Sequence, residues 1–150
     1  MAMSRLHLCA LLGACLGCMT PAPLDPVPLV AQVLVEQQAA WNSGDLGAFM
    51  DAGYIQSTGL TFFSGAEVTS GFAEVLRRYQ RSYMDDGKEM GTLTFTDLET
   101  FALGPRSALA RGRWGLSLSN GEQPGGLFSL VLVKTSDGWR IIHDHTSSAH

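Results

Sequence analysis

Three turn signals, Gly104-Pro105, Asn120-Gly121 and Asp137-Gly138, divide the second half of the chain into long segments rich in β-branched and aromatic residues. The segments run from Gly91 to Ala102, Arg106 to Ser119 and Gly126 to Ser136, with a last one after Gly138. Connections this short cannot carry a parallel crossover, so the four segments are predicted to form an antiparallel meander. Such a sheet needs a cover for one face. The first half supplies it. From Leu29, the residues Val30, Val33, Leu34, Gln37, Ala40 and Trp41 recur at helical spacing, and Gly44 ends that helix. Asp45 is placed to cap a short second helix that turns Leu46, Phe49 and Met50 inward and closes at Gly53. A short strand pair follows, Leu60 to Phe63 and Glu67 to Thr69, and then a third helix with Ser70 as its cap. That helix has an apolar stripe of Phe72, Val75, Leu76, Tyr79 and Tyr83, and Arg77, Arg78 and Arg81 are expected in solvent. The order is α-α-β-β-α-β-β-β-β, an α+β domain with three helices on one face of an antiparallel sheet. Gln37 is the anomaly on the first stripe; it reaches a cavity or bonds a neighbouring backbone group.

The chain has 150 residues, 45% hydrophobic and 16% charged, enough for one packed domain plus a leader. Its net charge is −4 and no basic cluster exceeds Arg77-Arg78 with Arg81, which disfavours nucleic acid as a partner. Cys9, Cys15 and Cys18 are its only cysteines, so a disulfide framework, a thiol nucleophile and a thiolate metal site are excluded from the domain. Residues 1–18 have the pattern of a secretion signal, with Arg5 ahead of an apolar stretch too short to span a membrane. Leu12-Gly-Ala-Cys15 resembles a lipoprotein box, with Cys18 as the alternative lipidation site and plain secretion as the simpler reading. Residues 19–28 contain Pro21, Pro23, Pro26 and Pro28 and read as a tether. The expected product is a periplasmic domain over residues 29–148 that meets the membrane only through an N-terminal lipid.

Four stretches resemble the nuclear transport factor 2-like, or SnoaL-like, group: Ala40-Trp-Asn-Ser-Gly-Asp45, Met90-Gly-Thr-Leu-Thr-Phe95, Ala110-Arg-Gly-Arg-Trp114 and Gly138-Trp-Arg-Ile-Ile-His-Asp-His-Thr-Ser147. The last also resembles the end of the calcium/calmodulin-dependent kinase association domain. The resemblance implies a cystatin-like cone with a pocket and, in many members, a homodimer. It spans enzymes such as ketosteroid isomerase, polyketide cyclases, limonene epoxide hydrolase and scytalone dehydratase, as well as many non-enzymes, so fold does not fix function.

A register argument divides the sheet residues between faces. If Ser136 pairs with Trp139, Asp144 lies opposite Val131; if Ser119 pairs with Gly125, Val131 lies opposite Arg113. Arg113, Val131 and Asp144 then share one face with Thr146 nearby, and Trp114, Leu130, Leu132, Ile141, His143 and His145 share the other. Composition favours the second face as the helix-packed core. The resemblance to the kinase association domain implies a pocket arginine at Arg113, with Thr146 at the position of a second one. The expectation adopted is that Arg113 and Asp144 line the pocket.

Two functions follow. The first is a small-molecule-binding domain, in which Arg113 attracts an anionic group and Trp41, Tyr54, Tyr79 and Thr146 complete the walls around a small anionic or polar-aromatic ligand. The alternative is an acid–base isomerase, dehydratase or hydrolase with Asp144 as base and His145 or Tyr54 as donor. No cofactor is called for. A metal site on His143 and His145, with His150 beyond them, is weak for want of further ligands.

Overall fold

The computed structural model describes residues 26–148. Its elements follow the expected order: α1 (Pro26–Asn42), α2 (Leu46–Gly53), β1 (Thr61–Ser64), β2 (Glu67–Ser70), α3 (Phe72–Tyr83), β3 (Thr92–Gly104), β4 (Ser107–Ser117), β5 (Gly125–Thr135) and β6 (Gly138–Thr146). The leader and the tether as far as residue 25 lie outside the described residues. α1 begins at Pro26, ahead of the expected Leu29. Proline is tolerated in a first helical turn, where its missing N–H had no intrahelical partner to lose.

The six strands form one sheet in the order β2-β1-β6-β5-β4-β3. β3 to β6 make the predicted antiparallel meander. β1, however, lies parallel to β6, with Phe62 beside Asp144, so the sheet is mixed and not wholly antiparallel. It curves around the helices without closing, and the core lies between its concave face and α1, α2 and α3. Val30, Val33, Leu34, Gln37 and Trp41 of α1 are buried against Leu116, Phe128, Leu130, Leu132 and Ile141 of the sheet.

β3 is an edge strand, and α1 satisfies the groups an edge leaves open. Asn42 donates from Nδ2 to the Leu93 carbonyl at 3.0 Å and accepts from the Leu93 amide at 2.7 Å. Gln38 Oε1 accepts from the Phe95 amide at 2.8 Å. Asp45 caps α2 as expected, accepting from the Ala48 amide at 2.8 Å. α3 starts from Gly71, at a positive φ of 87°, and Ser70 stays in β2.

The register differs from the sequence expectation in two ways. The last hairpin closes at Thr135 and Gly138, which makes Ser136 and Asp137 the turn residues, and Arg113 pairs with Leu127. Both shifts are even in count and leave each residue on its expected face. The second difference changes the face. Leu132 pairs with Ile141 but Val131 pairs with His143, so Ile142 is an extra residue in β6. This β-bulge reverses the alternation along the rest of the strand. Ile141 and Asp144 are therefore both buried on the concave side. The shared face expected for Arg113 and Asp144 does not exist.

Candidate functional site

A cavity of about 190 Å³ opens between α3 and the concave sheet face. Trp41, Phe49, Phe95 and Phe128 give it apolar walls, and Asp144, Tyr54, Tyr79 and Thr146 bring polar groups together in it. Each arrives from a different local device. Tyr54 caps the C-terminus of α2, where a parallel bridge to Ile141 ties the chain to β6. Tyr79 projects from the apolar stripe of α3. Asp144 and Thr146 alternate on β6, beyond the bulge, and so face the same way.

These side chains form one hydrogen-bonded chain. Tyr54 donates its hydroxyl to Asp144 Oδ2 at 2.6 Å, and Thr146 donates to Oδ1 at 2.6 Å. The Tyr54 and Tyr79 hydroxyls lie 2.9 Å apart. With Asp144 ionised, Tyr54 spends its only proton on the carboxylate, so Tyr79 must be the donor to Tyr54. With a proton on Oδ2 the direction can reverse: Asp144 donates to Tyr54, Tyr54 to Tyr79, and the Tyr79 proton becomes available to a group in the cavity. The arrangement thus couples proton uptake at the carboxylate to donation at the far end.

Burial pushes the Asp144 carboxyl up to about 6, against the opposing pull of the Thr146 and Tyr54 hydrogen bonds and the charge of His145. Burial, reinforced by the Asp144 charge, also raises Tyr54 and Tyr79 well above the ordinary phenol value, so both remain neutral donors at physiological pH. A carboxylate that titrates near neutrality in a largely apolar cavity is suited to taking up and returning protons.

Of the residues singled out in the sequence, Trp41, Tyr54, Tyr79, Asp144 and Thr146 come together here. Arg113 does not. It lies on the convex face, well exposed, with its Nε 3.1 Å from Asp97 Oδ2. His145 is also on that face and exposed, its ring 6.1 Å from Phe63; it cannot donate into the cavity. His143 Nδ1 is 2.7 Å from Thr61 Oγ1. Among the described residues no three His, Cys, Asp or Glu side chains are grouped to hold a metal ion. Two further residues line the cavity. Gln37 does both things expected of it, reaching the cavity and donating to the Phe49 carbonyl at 3.4 Å; Gly53 makes the room, since a Cβ there would meet Gln37 Nε2 at 1.9 Å. Arg78, expected in solvent, lines the cavity. Its place next to Tyr79, one position off the apolar stripe, was the available signal.

Residues 30–150 match the sequence profile of the SnoaL-like domain. The chain belongs to that family. An NTF2-like protein of unknown function from Shewanella oneidensis is similar over 82% of this chain and 99% of its own, with 37% identity and a TM-score of 0.74. Two more distant structures share the SnoaL-like fold. One is a candidate dehydratase of the NTF2-like family from Streptomyces avermitilis, with 21% identity, a TM-score of 0.64 and coverage of 86% of this chain and 99% of that one. The other is a candidate calcium/calmodulin-dependent kinase II association domain from Xanthomonas campestris, with 17% identity, a TM-score of 0.62 and coverage of 80% and 85%. No curated protein matches.

Proposed function

We propose that this SnoaL-like domain is an acid–base catalyst for a small, mostly apolar carbonyl compound, with Asp144 as the general base. The observation that carries the proposal is a buried carboxylate, raised to about 6, that ends a chain of two tyrosine hydroxyls inside an aromatic cavity. Asp144 removes a proton from the carbon next to the carbonyl; the electron pair moves onto the carbonyl oxygen, and Tyr79, whose proton is released as Asp144 takes one up, donates a hydrogen bond to the oxygen that becomes negative. Return of the proton to the same or a conjugated carbon gives exchange or isomerisation; expulsion of a hydroxyl from the next carbon, which takes the proton from Asp144 and leaves as water, gives dehydration. The cavity is smaller than the roughly 300 Å³ at the lower end of typical ligand sites, so the substrate has one or two rings.

The test is deuterium uptake into 2-tetralone in heavy water, followed by NMR. Wild type should accelerate exchange at the carbon next to the carbonyl, with a rate that rises through about pH 6. Asp144→Asn should lose about 10²-fold or more. Equal rates for the two proteins would exclude the catalytic reading. A binding domain without chemistry is the second reading, favoured by the fact that both Asp144 oxygens already have protein donors. It expects the ketone to bind both proteins while neither accelerates exchange.

The leader motifs support an exported protein, held in the periplasm by a lipid on Cys15, with Cys18 as the alternative. Loss of palmitate labelling in Cys15→Ser is the expected result. A second copy of this chain is the partner proposed for the convex face, where Leu127 and Phe101 are 52% and 39% exposed; sedimentation should give a dimer.

A further inference from the structure

At the mouth of the cavity, α3 presents one cationic side chain that the carboxylate chemistry does not use. Arg78 is the only Lys or Arg among the lining residues. Its guanidinium carbon lies 5.2 Å from the centre of the Phe62 ring, and its side chain is only 23% exposed. Nη1 is paired with Glu67, whose own side chain is 72% exposed. Nε and Nη2 have no partner among the described residues, so one edge of the planar fork is open.

The surroundings of that edge are polar. Ser82 follows Arg78 by one helical turn, and Ser64, which pairs with Glu67 across the β1–β2 hairpin, also lines the cavity. Phe62 separates this rim from the floor, because it is the direct neighbour of Asp144 in the β1–β6 pair. With strands about 4.8 Å apart and the guanidinium stacked beyond the ring, the Arg78 fork and the Asp144 carboxylate stand on the order of 8–10 Å from each other. That is about the length of one substituted aromatic ring.

We infer that the site is two-ended, and that its substrate is a ring compound with a carbonyl for the Asp144 end and a carboxylate for Arg78. A guanidinium that is the one cationic group lining the cavity favours an anion, and its open edge matches the two oxygens of a carboxylate. The ring of such a molecule lies along the aromatic wall between the two ends. Glu67 stays on Nη1 beside the ligand, where its negative charge offsets part of the attraction, weakly because it is largely solvated. This inference rests on the proposed ligand site but not on its proton transfer.

Titration calorimetry at pH 7.5 with 4-acetylbenzoate and its neutral isostere 4-acetylbenzamide tests it on the full chain. Wild type should prefer the acid by about tenfold or more. Arg78→Met, which keeps the packing over Phe62, should abolish the preference with the melting temperature read in parallel; Arg78→Lys should recover part of it. Glu67→Gln, at an exposed position, should tighten the acid by about two- to fivefold and leave the amide unchanged. Equal affinity for acid and amide, a preference that survives in Arg78→Met, weaker acid binding in Glu67→Gln, or no binding of either compound at millimolar concentration would overturn the two-ended site. Asp144→Asn should keep the preference. If it does while wild type fails to exchange 2-tetralone, the proton-transfer reading alone is lost.

Discussion

A carboxylate surrounded by aromatic rings needs donors to remain charged, and Asp144 has Tyr54 on one oxygen and Thr146 on the other. Both bonds hold its proton affinity down while burial raises it. Tyr54→Phe removes one of the two restraints. The midpoint of the pH–rate profile should therefore move above that of wild type, with a slower maximum; a midpoint that moves down would mean that burial does not govern the group. At this scale the sequence was informative where a residue type had few uses. Tyr54, Tyr79 and Trp41 are amphipathic side chains on or beside apolar stripes, and all three reach the cavity. The placing of Arg113 in the pocket rests on a resemblance to another branch and on a face shared with Asp144, which the bulge in β6 undoes; Arg113 is paired with Asp97 in solvent. Arg78 reads as part of a solvated face because it is a helical arginine beside two others.

The bulge at Ile142 is the element on which the site depends. Without it Asp144 would lie on the convex side with Val131, and no buried base would exist. Ile141-Ile142 offers no turn residue or glycine to announce an inserted position, so a period-two pattern does not reveal it. The same limit applies to the β1–β6 pairing: a parallel contact between short and distant strands leaves no local pattern, whereas the antiparallel hairpins of β3 to β6 are written in their Gly, Pro, Asn and Asp turns. The edge of β3 illustrates the opposite case, in which one side chain does what a strand would otherwise do. Asn42→Ala removes two hydrogen bonds from the Leu93 backbone. It should lower stability by about 1–2 kcal/mol in urea unfolding, with the α1–β3 contact the first to exchange amide hydrogens. A variant as stable as wild type would show that water replaces the asparagine at no cost.

Over the whole molecule, three helices cover one face of a curved sheet, and residues of α3 and β6 line the cavity between them. Aromatic packing maintains the space: Trp41, Phe49, Tyr79 and Tyr83 contact one another edge-on, tilted or stacked, with ring centres 4.8–6.1 Å apart. Burying an acid in such a shell has a consequence for the stability of the entire domain. Asp144 holds a proton more tightly in the folded protein than in the unfolded chain, so its contribution is complete below the unfolded value and is lost as pH rises through about 6. The gap between 3.8 and about 6 corresponds to about 3 kcal/mol. Asp144→Asn keeps the shape and cannot titrate. The decisive measurement is the unfolding free energy of wild type minus that of Asp144→Asn, by urea at intervals from pH 4 to 8. The difference should lose most of that about 3 kcal/mol between pH 4 and 6, with a midpoint near 5, and change little above, leaving the variant relatively most favoured at pH 8. A difference that is flat over this range, or one that rises with pH, would contradict a buried base poised near neutrality.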